Sequence, residues 1–145
     1  MSASALIDAT PRRVYAVIAA FRNEHPRILP KEVSQLTVEK GGFGDGAIIR
    51  YQLRVWDKAH PVRAAVTEPE PGRVLVETVL DSSGAVTIFT VNPGATPGQS
   101  DVTISPELPV RTGVIGDIQR IFTTRFLRPI LIRELELLAE CVGRG

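Results

Sequence analysis

A chain of 145 residues suits one domain and is long enough to bury a real core. Its 17 basic and 16 acidic residues leave a net charge of +1 without a dense basic block, which excludes an electrostatically driven nucleic-acid binder. The single Cys141 excludes an internal disulfide framework, and no apolar run approaches the ~18 residues of a membrane span. The N-terminus carries no charged segment followed by a long apolar one, so the expected location is cytoplasmic.

Taken in chain order, residues 2–9 alternate weakly, with Ala3, Ala5 and Ile7 on one side of a short strand. Thr10-Pro11 reads as a helix start, with threonine as N-cap and proline at the first helical position. Val14, Val17, Ile18 and Phe21 follow at helical spacing, giving a helix over about 11–20. Pro26 and Pro30 leave room for one short helical piece around 23–28. From Val33 to Leu108 the pattern has period two and is broken by turn clusters, as in an antiparallel meander. The predicted strands are 33–40, 49–55, 59–68, 73–80, 85–92 and 100–105. The clearest is 49–55, where Ile49, Tyr51, Leu53 and Val55 alternate with Arg50, Gln52 and Arg54. Asp57-Lys58, Pro69–Gly72 and Asp81–Gly84 mark turns.

The last third, from Thr112 to Val142, holds the longest helical pattern. Val114, Ile118, Ile121 and Phe122 form one apolar stripe, and Leu131, Leu135, Leu138 and Val142 form a second. The stripes differ by about a quarter turn at 100° per residue, with Pro129 at the join. A proline there crowds the carbonyl of Arg125, so a kink is expected. Six short-linked strands need a cover for their apolar face, and this helix is the element long enough to supply it.

Gly41-Gly42-Phe43-Gly44-Asp45-Gly46 is read as a hairpin loop, because a phosphate-binding loop needs a helix directly after it and here a strand follows. His25 and His60 lie at no metal-ligand spacing from each other or from Cys141, so no metal and no cofactor are expected. No G-x-S-x-G elbow is present. His60 shares strand parity with Val62, Ala64 and Val66 and is a candidate to orient a guest; a solvent-exposed strand end is the competing reading. Arg125 falls inside the first apolar stripe. It is read either as a ligand-anion holder or as a side chain that snorkels or pairs at the helix flank. Tyr51, Leu53 and Phe89 on strands, with Ile118, Phe122 and Phe126 on the helix, occupy apolar faces. Trp56 ends its strand on the opposite parity, and Arg50 and Arg54 are expected on the outer, solvated sheet face.

The element order resembles the START/Bet v 1-like superfamily, and more narrowly the bacterial polyketide cyclase/dehydrase-like (SRPBCC) proteins. The segments that carry the likeness are IDATPRRVYAVIAAFRNEHPRILP, IIRYQLRV, EPEPGRVLVET and FLRPILIRELELLAE, spread over essentially the whole chain. The resemblance implies an α+β helix-grip fold of one domain. A seven-stranded antiparallel sheet wraps around a long C-terminal helix, with short helices between strands 1 and 2 and an apolar cavity between sheet and helix. It also makes the candidate site the cavity lining, namely Tyr51, Leu53, His60, Phe89, Ile118, Phe122, Arg125 and Phe126. The cavity half is expected under residues 114–126 rather than under the leucines.

Three functions follow as expectations. The first is binding of a hydrophobic small molecule, such as a lipid, polyketide, isoprenoid or quinone, by a monomer or homodimer. The second is a cyclase or dehydratase, for which Arg125, Tyr51 and His60 are the nameable proton-transfer and enolate-stabilising groups. The third is a protein-interaction module using a sheet edge or the Arg50/Arg54 face.

Overall fold

The computed structural model describes residues 2–81, 84–108 and 123–143. The chain runs β1 (Ala3–Ile7), α1 (Pro11–Ala19), a 3-10 turn (His25–Ile28), β2 (Val33–Lys40), β3 (Ile48–Val55), β4 (Lys58–Glu70), β5 (Val74–Val79), β6 (Val86–Pro93) and β7 (Ser100–Glu107). A π turn (Thr123–Leu127) then leads directly into α2 (Arg128–Gly143). All seven strands form one antiparallel sheet in the order β1-β7-β6-β5-β4-β3-β2, so each strand after β2 lies beside its predecessor and β7 pairs back onto β1. This is the expected helix-grip architecture.

Helix α1 begins as its sequence dictates. The Thr10 hydroxyl accepts the Arg13 N–H, and Pro11 opens the first turn. Its buried side, Val14, Val17 and Ile18, packs into the core with Phe21 just beyond its end. The glycine loop is a hairpin connection between β2 and β3, and it is tied back to the end of α1. The Phe21 N–H donates to the Gly42 carbonyl at 2.9 Å, and the Gly44 N–H donates to the Ala19 carbonyl at 3.0 Å.

The sheet register lays inward residues out in rows. Ile49, Ala64 and Val79 are cross-strand partners in turn, as are Val66, Glu77 and Thr87, and then Leu75, Phe89, Ile104 and Ala3. On the outer face Arg50 is paired with Arg63 in the ladder, and both guanidinium groups reach Glu39 of β2. The β3–β4 turn falls at Trp56-Asp57, one residue earlier than the sequence suggests, because Val55 and Lys58 pair. Trp56 adopts φ +56 there and is 79% exposed.

The terminal helix keeps its leucine stripe: Leu131, Leu135, Leu138 and Val142 are all buried. Where the sequence suggests a kink, the chain winds as a π turn. Pro129 sits in the first turn of α2, directly after the π turn, and has no N–H to offer the carbonyls of that turn. The wider turn at Arg125 relieves the crowding that a proline four residues later imposes on an α-helical carbonyl. Helix α2 packs against the 3-10 turn, β1 and α1. The first stripe, Val114, Ile118, Ile121 and Phe122, lies outside the described residues.

Candidate functional site

Between the inner sheet face and α2 lies a cavity of about 290 Å³. Its sheet wall includes Ile49, Tyr51 and Leu53 of β3, Val62 of β4, Glu77 and Val79 of β5, and Thr87 and Phe89 of β6. Leu127, Ile130, Leu131 and Glu134 close it from the helix side, and His25 and Leu29 from the 3-10 region. Larger hollows exist, but they are surface grooves. One of about 550 Å³ lies along Arg50, Gln52 and Arg63, and one of about 560 Å³ along Lys31, Glu32 and Arg133. Their solvated charges give no reason to exclude water, so the interior cavity is the better site.

Three polar groups of the described wall are buried. His25 is 2% exposed; its Nδ1 lies 2.6 Å from the Ile18 carbonyl oxygen. A carbonyl only accepts, so Nδ1 carries the proton and donates. The ring stacks on Phe21 at 4.4 Å and meets Phe89 edge-on at 6.0 Å. Burial lowers its pKa to about 4, outweighing the hydrogen bond to Ile18, so the imidazole is neutral and Nε2 is an acceptor.

Glu77 and Glu134 are the other two, 9% and 7% exposed. Glu77 follows from strand parity with Leu75 and Val79, and Glu134 from the helical row Ile130, Glu134, Leu138. Burial pushes Glu77 up to about 7, and burial with the nearby Glu77 charge pushes Glu134 up to about 8. Tyr51 belongs to the same cluster. Its phenol is raised well above the usual range by burial and then by both glutamates, so it stays protonated. At neutral pH the described wall therefore holds a neutral imidazole, a phenol and two buried carboxyls close to their titration points.

The sequence-predicted residues divide. Tyr51, Leu53 and Phe89 line the cavity. His60 pairs with Leu53 on the inner-face register, but it is exposed and lies off the wall. Its parity is inward, yet it stands two residues after the start of β4, near the exposed tip of the β3–β4 hairpin. Arg125 is exposed on the π turn rather than within an apolar stripe. The change from α to π winding displaces it from the angle a regular helix gives. Phe126 is half-buried and meets Trp56 at 6.2 Å, away from the cavity wall. Ile118 and Phe122 lie outside the described residues. On the helix, the described cavity wall falls at 127–134, partly under the leucine half. Among the described residues no group of three or more His, Cys, Asp or Glu side chains is placed to hold a metal. No described helix is long and apolar enough to cross a membrane.

His25, Glu77 and Glu134 were not singled out as site residues from the sequence. The signal for both glutamates was present, since each breaks an apolar face at regular spacing. His25 offered none, because a four-residue 3-10 turn has no periodicity from which to read a face.

A family model described as "Polyketide cyclase / dehydrase and lipid transport" matches residues 1–142. The chain belongs to this family. Among solved structures, the KanY protein is 27% identical with a TM-score of 0.83, covering 98% of this chain and 95% of that one. The Zhui aromatase/cyclase from Streptomyces sp. R1128 is 12% identical with a TM-score of 0.78, over 99% and 93% of the two chains. A START superfamily protein from Mycobacterium smegmatis is 13% identical with a TM-score of 0.75, over 99% and 97%. At these identities the last two support the fold alone. No curated protein matches the sequence.

Proposed function

We propose that this member of the polyketide cyclase/dehydrase and lipid transport family binds a compact hydrophobic small molecule between its sheet and C-terminal helix. The observation that carries the reading is the interior cavity of about 290 Å³, whose apolar walls surround a few convergent polar groups. Ligand pockets run from roughly 300 to 1,000 Å³, so the guest belongs at the small end: an aromatic polyketide fragment, a short isoprenoid or a quinone ring rather than a two-chain lipid. Tyr51, Leu53 and Phe89 supply the contact surface, and Glu77, Glu134 and His25 orient the guest's polar end. The test is a thermal-shift and native mass-spectrometry series with 1-naphthol, menadione, geraniol and myristic acid. Stabilisation and a one-to-one complex with at least one of the ring or isoprenoid compounds is expected; no complex with any of the four, nor with 2-phenylethanol or 2-phenylethylamine, sinks the reading.

A second reading, acid–base catalysis, is favoured by one arrangement. Glu77, protonated up to about pH 7, and the neutral His25 share the cavity, offering a proton donor and a proton acceptor to one guest. Enolisation, ring closure or dehydration of a poly-β-keto substrate needs such a pair. Of the groups named from sequence for this chemistry, Tyr51 stands in the cavity wall. Turnover that drops on the order of 100-fold in Glu77→Gln with binding retained is the expected mark of an enzyme. Equal turnover in the variant rejects Glu77 as the acid.

A further inference from the structure

The described wall of the cavity carries four carboxyls, those of Glu77, Asp81, Glu107 and Glu134, and no lysine or arginine. Asp81 and Glu107 are exposed and stand at its rim. Glu77 and Glu134 are more than nine-tenths buried and enter from opposite sides, one from the sheet and one from α2. Neither forms a hydrogen bond or ion pair with another described residue, and both side chains face the cavity. The remaining titratable groups on that wall add no positive charge, since Tyr51 stays a phenol and His25 stays neutral. A protein interior rarely keeps two carboxyls together without a compensating cation, because burying an unpaired charge is costly.

We propose that the guest of this cavity is a hydrophobic amine, bound as its ammonium with the head between Glu77 and Glu134 and the apolar body against Leu53 and Phe89. The inference rests on the cavity-binding reading and names its ligand class. An ammonium donates three hydrogen bonds, and carboxylates on two sides of it accept them. It also converts the mutual repulsion of the pair into attraction on both sides. A neutral guest finds the same apolar surface but leaves the pair uncompensated.

The protons balance simply. Below the titration range of the pair, an ammonium that binds a protonated carboxyl forms an ammonium–carboxylate contact and releases one proton to solvent. Amine affinity therefore rises as pH climbs through about 7 to about 8. A neutral isostere gains nothing over that range.

The test compares 2-phenylethylamine with 2-phenylethanol by titration calorimetry at pH 5.5 and 8.5, in buffers of different ionisation enthalpy. The expected result is amine binding at least about tenfold tighter at pH 8.5, with proton release at pH 5.5, and an alcohol that shows neither. In the Glu77→Gln/Glu134→Gln variant the amine loses at least about tenfold while the alcohol is retained. Alcohol binding that equals or exceeds amine binding at pH 8.5 overturns the proposal and leaves the cavity reading intact. So does amine binding that survives in the double variant. If neither compound binds, the cavity reading fails and this inference fails with it.

Discussion

Glu134 lies one turn after Ile130 and one turn before Leu138, on a helix face that is otherwise buried hydrocarbon. Its carboxyl titrates near 8 in the folded chain, raised from 4.5 by burial and by Glu77, which itself titrates near 7. Between about pH 4.5 and these values the folded protein holds protons that the unfolded chain has released. Stability is therefore greatest below about pH 4.5 with respect to these groups, declines as pH rises through 7 and 8, and then levels off. Glu134→Gln removes the larger titration. In urea denaturation it should exceed the parent by about 2 kcal/mol or more at pH 8.5 and match or fall below it at pH 5. Parallel pH profiles for the two proteins would falsify the assignment of Glu134 as a buried, uncompensated acid. At this scale the sequence was half legible. Tyr51, Leu53 and Phe89 stand on the inner face that the sequence assigns them, because a strand's period of two places side chains directly. Arg125 was placed by extrapolating α-helical angles through a stretch that winds as a π turn. The same angular arithmetic, applied after Pro129, picks out Glu134.

Gly44 shows how an element is set by one position. The loop from Gly41 to Gly46 folds back on α1, and Gly44 adopts φ +60 with its Cα facing the Glu68 side chain. A Cβ added there would lie 2.2 Å from Glu68 Oε1. Glu68 cannot easily withdraw, because it accepts the Tyr15 hydroxyl at 2.6 Å and the Asp45 N–H at 2.8 Å. Gly44→Ala therefore combines left-handed backbone strain with the loss of one of those bonds. A destabilisation of roughly 1–3 kcal/mol in chemical denaturation is expected, and a change below about 0.5 kcal/mol sinks the account. The sequence made this loop legible as a hairpin from its glycines and the strand that follows. Its anchoring was not legible, since the contact from Gly44 to Glu68 joins the loop to β4, distant in sequence. The turn at Trp56-Asp57 was misplaced by one residue for a related reason: a tryptophan at positive φ is not what local propensity selects, and pairing of Val55 with Lys58 imposes it.

At the level of the whole molecule, the cavity follows from how the layers meet. The sheet order carries β7 back to β1, so the edge near the N-terminus lies beside the point where α2 docks onto β1, α1 and the 3-10 turn. The helix is thus held at one end of a curved sheet, and the inner surface of β3 to β6 is left with space beneath it. This architecture was legible in the sequence, because strand count, short turns and one long terminal helix leave few ways to bury the apolar face. The depth of each residue along its strand was not, and His60, inward in register yet exposed near the tip of the β3–β4 hairpin, is the instance. Val79 and Val66 separate empty space from packed core. Both point inward from neighbouring strands, but Val79 lines the cavity while Val66 is 1% exposed in the closed core and absent from the lining. Phenylalanine at Val66 overpacks a filled site and should cost about 1–3 kcal/mol or more. The same substitution at Val79 enters vacant volume, so its stability should stay within about 1 kcal/mol of the parent, while affinity for any cavity guest falls at least tenfold. Denaturant midpoints of the two variants, read beside calorimetric titration of the Val79→Phe protein, decide the matter. Equal destabilisation at both positions means the space beneath the helix is too small to admit a guest, and ligand binding would have to be sought elsewhere on the fold.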